Sequence, residues 1–159
     1  MTKAVYAGTF DPVTNGHLDI IERASRMYEH LYVTIFNNPN KSTMFSLEER
    51  LALLKEVTKD FHNVTIDASD VLSVEYAKKV GATVLVRGLR ATMDFEYELQ
   101  LAFSNQYLDD SVDMVFLMTR PTHSFISSSS VKEIASHHHS VEGLVPLVVE
   151  NALKKKINE

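Results

Sequence analysis

Gly8-Thr9-Phe10-Asp11-Pro12-Val13-Thr14-Asn15-Gly16-His17 follows directly on the apolar run Ala4-Val5-Tyr6-Ala7, so a strand leads into a tight turn and then into a helix that opens on a histidine. Gly8 permits the turn and a close backbone approach, Pro12 fixes the chain, and Gly16 leaves space before His17. A helix N-terminus offers unpaired N–H groups and the positive end of its dipole to an anion, and His17 stands in that first turn. Phosphate is the natural ligand of such a turn. The same residues also read as an ordinary strand-to-helix connection with a solvent-facing histidine.

Working outward, apolar runs rich in Val, Ile and Tyr predict strands over 4–7, 31–36, 64–66, 83–86 and 112–117, with helical periodicity between them. In the first helical segment Leu18, Ile21, Ala24, Met27 and Tyr28 share one face. Ser46-Leu47-Glu48-Glu49 is a capping box opening the second, with Leu47, Leu51, Leu54 and Val57 as its buried stripe. Further helices are predicted over 74–80, stopped at Gly81, and over 92–108, 126–136 and 146–157. Alternation of this kind implies right-handed crossovers and a five-stranded parallel sheet covered on both faces, a doubly wound α/β fold. The loops 8–16, 37–43, 87–92 and 119–130 all follow strands, so four loops face one crevice at the carboxyl ends.

The 159 residues, 45% hydrophobic, suit a single domain over 1–159 that needs no disulfide or metal staple. The absence of cysteine excludes thiol nucleophiles, disulfides and zinc-thiolate sites. No apolar stretch approaches the roughly 20 residues of a membrane span, and the N-terminus lacks a signal-peptide pattern, so a cytoplasmic protein without membrane contact is expected. A net charge of −5 argues against nucleic acid as a partner. Lys41, Arg87 and Arg90 nevertheless stand at strand or loop ends, where they predict a small basic pocket for a small anion.

Arg87-Gly88-Leu89-Arg90-Ala91 sets two guanidinium forks around a glycine after a strand, a pattern suited to phosphate oxygens or to a plain surface turn. In the helix that follows, Phe95, Leu99, Ala102 and Phe103 form the apolar stripe and Glu98 borders it, as a site carboxylate or as one solvated beside the core; Glu96 faces outward. The stretch His123-Ser124-Phe125-Ile126-Ser127-Ser128-Ser129-Ser130 holds four consecutive serines at a helix start, an anion nest in form. Ser130 with Glu133 also makes a capping box, so a serine here can be purely structural. Lys41 reads as a phosphate contact or as a solvated loop lysine. His137-His138-His139 are adjacent in a loop, cannot easily converge on one ion, and read as solvated.

Taken together these motifs resemble those of the nucleotidyltransferase superfamily. Thr9-Phe10-Asp11-Pro12 with Gly16-His17 resembles its T-x-G-H signature, and the run from Ile126 resembles its I-S-S-S or I-S-S-T motif. Within the superfamily, Arg87-Gly88-Leu89-Arg90 with its continuation over 94–100 resembles the R-G-L-R segment of the phosphopantetheine adenylyltransferases. Lys41, after Asn38-Pro39-Asn40, matches their N-P-x-K lysine. The resemblance runs from Val5 to the last helix.

It implies a Rossmann-like domain that transfers the adenylyl group of ATP to 4′-phosphopantetheine, giving dephospho-coenzyme A and pyrophosphate, the penultimate step of coenzyme A synthesis, by direct attack of the substrate phosphate. By the same resemblance His17, Lys41 and Arg90 are catalytic. ATP falls to Thr9, Phe10, His17, Gly88, Leu89, Arg90, Glu98, His123, Ser124, Phe125, Ile126, Ser127, Ser128 and Ser129. The acceptor falls to Thr9, Lys41, Ser73 and Arg87. Ser73 departs from the apolar residue the family often carries there, which shifts the pantetheine contact toward backbone atoms or toward Leu72. Mg²⁺ is expected on the ATP phosphates and water, with no protein-ligated metal, and the assembly is expected to be a homohexamer. The rivals are a mononucleotide adenylyltransferase or cytidylyltransferase and, from another class, a catalytically silent nucleotide-binding module.

Overall fold

Along β1 (Lys3–Gly8) successive side chains enter different cores: Ala4 and Tyr6 lie in the larger one and Val5 in the smaller, as the two-residue period of a strand dictates. A strand apolar on both faces requires cover on both. In the computed structural model, which describes residues 2–90 and 92–159 with the side chains of 92–94 excepted, β1 is the central strand of a sheet ordered β3-β2-β1-β4-β5. Met1 and Ala91, the residue that closes the arginine motif, lie outside the described residues. The other strands are β2 (His30–Phe36), β3 (Val64–Ser69), β4 (Val84–Leu89) and β5 (Asp113–Met118), and every pairing is parallel. The chain moves outward from β1 to β2 and β3, then crosses back to β4, so the strand order switches between β1 and β4 and opens a crevice at their carboxyl ends. The expected doubly wound α/β class is the fold observed.

The helices are α1 (Asn15–Met27), α2 (Leu47–Val57), α3 (Ser73–Val80), α4 (Thr92–Leu108), α5 (Ser128–Ser136) and α6 (Leu147–Ile157). Ile20 and Ile21 of α1, Leu54 of α2, Val131 of α5 and Val149 and Leu153 of α6 build the larger core with Leu31, Val33 and Val86. On the other face Val74, Tyr76 and Ala77 of α3 pack with Val5, Leu85 and Val112. Ser46 caps α2 in the predicted box with Glu49, and α3 ends at Gly81, whose φ of 74° is the left-handed conformation that glycine adopts without strain. Among the described residues no helix is long and apolar enough to cross a membrane.

The structure corrects several boundaries and faces. β4 does not stop at Val86 but carries Arg87, Gly88 and Leu89, which pair with Phe116, Leu117 and Met118; the ladder, not hydrophobicity, sets its end. β3 likewise continues to Ser69 opposite Phe36. Met27 is exposed because a stripe position in a terminal turn has neighbours on one side only, and Ile20 takes its place in the core. The predicted stripe of α4 is turned the wrong way: Phe95, Leu99 and Phe103 are exposed, while Glu98 and Asn105 are buried. The inner face of α4 is held by polar contacts, Glu98 to Arg87 and Asn105 Nδ2 to Met114 Sδ at 3.3 Å. Finally, α5 is capped by Ser127 and not by Ser130, one turn earlier than the box with Glu133. Ile126, buried at 3% exposure, precedes the helix and fixes where it begins.

Candidate active site

A cleft of about 810 Å³ opens at the β1–β4 switch, lined by residues from all four predicted loops. Its floor is the β1–α1 turn. Thr14 caps α1, its hydroxyl accepting from the N–H of His17 at 3.3 Å, while His17 Nδ1 accepts from the N–H of Thr14 at 3.0 Å. A backbone N–H can only donate, so Nδ1 carries the lone pair and the proton of the neutral ring sits on Nε2. Burial, then the charges of Arg90 and Arg87, push the imidazole pKa down from 6.5 to about 4. At neutral pH His17 is therefore an uncharged N–H donor fixed in one tautomer.

The turn is tight around an aromatic ring. Phe10 has a φ of 50°, an uncommon conformation for a side chain of that size. It is held there by burial and by edge contacts to Tyr6 at 5.4 Å and His17 at 4.9 Å between ring centres. A Cβ on Gly8 would stand 2.9 Å from that ring, so glycine is required by the close approach. Gly16 is different: a Cβ there would meet Thr14 Oγ1 at 3.5 Å and His123 at 3.9 Å, ordinary contacts, so the space expected before His17 belongs to the cleft and not to the packing.

The walls are basic. Arg87 donates through Nη1 to Ala7 O at 3.0 Å and grips Glu98 with Nε at 3.0 Å and Nη2 at 2.7 Å. Burial works against the Arg87 charge, but the two bonds from Glu98 outweigh it and raise its pKa. Arg90 donates to Ile126 O at 3.3 Å, tying the arginine segment to the serine segment. Lys41 Nζ stands 3.5 Å from Thr9 Oγ1. Burial raises the pKa of Tyr6 far above its usual range, so the phenol stays neutral beside the arginines.

The serines divide their work. Ser127 and Ser130 cap α5 reciprocally at 3.0 and 3.1 Å, and Ser128 Oγ donates to Pro12 O at 2.7 Å, binding this helix start to the first turn. Thr9, Phe10, His17, Lys41, Ser73, Arg87, Gly88, Arg90 and Glu98 all line the cleft, with Ile126, Ser127, Ser128 and Ser129. Leu89, His123, Ser124 and Phe125 are not in its wall: Leu89 O accepts from Thr119, Ser124 Oγ donates to Pro121 O, and Phe125 points outward at 67% exposure. Residues that motif reading did not assign to the cleft complete it. Lys132, one turn into α5, follows the serines at helical spacing and was legible as a further cation. Phe36 and Val71, with the already suspected Leu72, form an apolar edge that no motif announces.

A helix start, fixed donors and converging cations around one cleft define a site for phosphoryl groups. The family model described as cytidylyltransferase-like matches residues 5–134, and the chain belongs to that family of nucleotidyltransferases. Within it the chain falls with the phosphopantetheine adenylyltransferases: it is 52% identical over 156 residues to the phosphopantetheine adenylyltransferase of Alkaliphilus oremlandii, a match spanning 98% of this chain and 99% of the other. Solved structures share the fold. A candidate nicotinate-nucleotide adenylyltransferase of Vibrio parahaemolyticus superposes with a TM-score of 0.71 at 16% identity, covering 97% of this chain and 99% of that one. The nicotinic acid mononucleotide adenylyltransferase of Plasmodium falciparum, solved with NaAD, gives 0.70 at 14% identity over 97% and 95%.

Proposed function

We propose that the chain transfers the adenylyl group of ATP to 4′-phosphopantetheine, releasing pyrophosphate and forming dephospho-coenzyme A. The observation that carries this reading is 52% identity over 98% of the chain to a phosphopantetheine adenylyltransferase, together with a cleft that gathers His17, Lys41, Arg87 and Arg90. In the reaction an oxygen of the acceptor phosphate attacks the α-phosphorus of ATP as the bond to pyrophosphate breaks, and no protein nucleophile is needed. Catalysis is alignment and stabilisation of charge. His17 donates from Nε2 to the α-phosphate, where charge grows; Thr9, Lys41 and Arg87 hold the acceptor phosphate. Arg90 and the N–H groups at the start of α5 take the nucleotide phosphates. The apolar edge of Phe36, Val71 and Leu72, with Val71 and Leu72 at 41% and 55% exposure, suits the long arm of pantetheine.

Among the described residues, the carboxylates that line the cleft, Asp11 and Glu98, are committed to Lys132 and Arg87. Its residues therefore fit an Mg²⁺ ion carried on the triphosphate and not one ligated by the protein; such an ion would neutralise phosphate charge. The decisive assay measures pyrophosphate release from ATP with 4′-phosphopantetheine or nicotinamide mononucleotide as acceptor. Turnover with the first alone is expected. Turnover with the mononucleotide alone, or none with either, refutes the reading.

The same reading includes assembly into a homohexamer in the cytoplasm. Its structural support is the outer stripe of α4, where Phe95, Leu99, Phe103 and Tyr107 recur every fourth residue at 51%, 36%, 62% and 91% exposure. Exposed apolar stripes of this length mark interaction surfaces. Light scattering on the wild-type protein and on Phe103→Glu tests it: a six-chain mass for the first and a smaller species for the second are expected, and a monomeric wild type refutes it.

A further inference from the structure

We propose that Asp11 and Arg50 are positioning residues that lock the base of the β2–α2 loop onto the phosphate turn and so set where Lys41 can reach, a proposal that rests on reading Lys41 as a ligand of the acceptor phosphate. Asp11 is 3% exposed, and its carboxylate accepts from the N–H of Met44 at 2.9 Å, the N–H of Phe45 at 2.9 Å and Lys132 Nζ at 2.8 Å. Arg50, equally buried, reaches back from α2: Nη1 donates to Thr9 O at 3.1 Å, and Nε donates to Phe45 O at 3.2 Å and Ser46 O at 3.3 Å. The turn thus grips the loop through Asp11, and the helix after the loop grips the turn through Arg50.

A carboxylate in a cleft that receives phosphates works against anion binding by Coulomb repulsion. Its presence is explained by what it holds. Burial pushes the Asp11 pKa up, but the bonds from Lys132, Phe45 and Met44 outweigh this and keep it below the usual carboxylate value, while Lys132 cancels its charge toward the cleft. At its other end the loop is fastened by Asn37 N–H to Ser69 O at 3.0 Å. Residues 37–42 are exposed between these anchors, and Lys41 lies three positions before the first amide that Asp11 holds. The placement of Lys41 near Thr9 is therefore decided at Met44 and Phe45.

The test compares Asp11→Ala, Asp11→Asn, Lys41→Ala and the Asp11→Ala/Lys41→Ala double variant in pyrophosphate-release kinetics, with amide hydrogen exchange of the free protein as a second readout. Misplacing a binding group by about 1 Å costs up to about a hundredfold, so Asp11→Ala is expected to raise KM for 4′-phosphopantetheine roughly tenfold to a hundredfold while KM for ATP changes less than about threefold. Asp11→Asn, which keeps an acceptor for the amides, recovers part of the loss. In the double variant Asp11→Ala adds nothing to the Lys41→Ala defect, and exchange in Asp11→Ala quickens over 38–46 but not in β1. Multiplying defects, an equal rise in KM for ATP, or unchanged loop exchange overturns the proposal. If Asp11→Ala does not fold, Arg50→Lys, which keeps the charge but not the fork, carries the same expectations. If the wild-type protein fails to use 4′-phosphopantetheine, the acceptor reading falls, and the exchange result alone decides the clamp.

Discussion

Replacing His17 with alanine removes two things that the ring keeps on separate atoms: the Nδ1 acceptor that caps α1, and the Nε2 donor of a side chain that lines the cleft. Losing one preorganised donor to developing charge costs about 10²–10³-fold in kcat, about 3–4 kcal/mol of transition-state stabilisation. Losing the cap partner costs about 1 kcal/mol of stability, and the edge contact with Phe10 at 4.9 Å adds about 0.5–1 kcal/mol. For a chain of this size that sum lowers Tm by roughly 3–8 °C. His17→Gln separates the two effects, because glutamine is a common residue at this position of a capping box and restores the helix start without an imidazole donor. Steady-state pyrophosphate release at saturating ATP and 4′-phosphopantetheine, beside thermal melts, reads both. Alanine is expected to lose rate and stability, glutamine chiefly rate, with KM values within a few-fold for each. A folded His17→Ala protein whose kcat stays within about tenfold of wild type would refute the reasoning.

The His17 ring should titrate near pH 4 in the free protein when followed by NMR of its Cε1 proton; a midpoint near the ordinary 6.5 would contradict the burial and arginine effects. Because its folded pKa is depressed, the unfolded chain takes up the proton first, and stability should fall by on the order of 2 kcal/mol as pH drops from about 6.5 to about 4, allowing for partial exposure of the ring. Asp11 adds a loss at still lower pH, since its stabilisation holds above the normal carboxylate pKa and disappears as pH falls through its depressed folded value. Gly8→Ala should destabilise by about 1–3 kcal/mol in urea unfolding, by driving Phe10 out of its site; a neutral result would mean that the ring yields freely. Glu98→Gln should raise KM for 4′-phosphopantetheine and cost about 1–3 kcal/mol in the same unfolding assay by loosening the grip on Arg87, and unchanged kinetics and stability would show that the pair is incidental.

The strands, the strand-turn-helix opening and the box at Ser46 were legible because each depends on neighbours in sequence. What failed shows where local signals end. The periodicity of α4 correctly puts Phe95, Leu99 and Phe103 on one face, but periodicity cannot say which face meets the sheet. That choice was made by Glu98 bonding to Arg87, eleven residues away. In α5 the box pattern points to Ser130 with Glu133, but the helix is capped three residues earlier by Ser127, whose partner is Ser130, directly after the buried Ile126. Most residues picked out by motifs line the cleft, though Leu89, His123, Ser124 and Phe125 do not, whereas the bonds from Asp11 to Met44 and Phe45 and from Arg50 to Thr9 span 33, 34 and 41 positions and have no local trace.

The central place of β1 sets up a radial division of labour. Hydrogen-bonded to a neighbour on each side, β1 delivers Thr9 and His17 from the part of the sheet least able to drift. The apolar edge comes from the carboxyl ends of β2 and β3, on one side of the central strand. Side chains at the rim can then change while the central strand stays in register. The backbone shared with the Vibrio and Plasmodium structures at 16% and 14% identity shows how far side chains can change while this fold is kept.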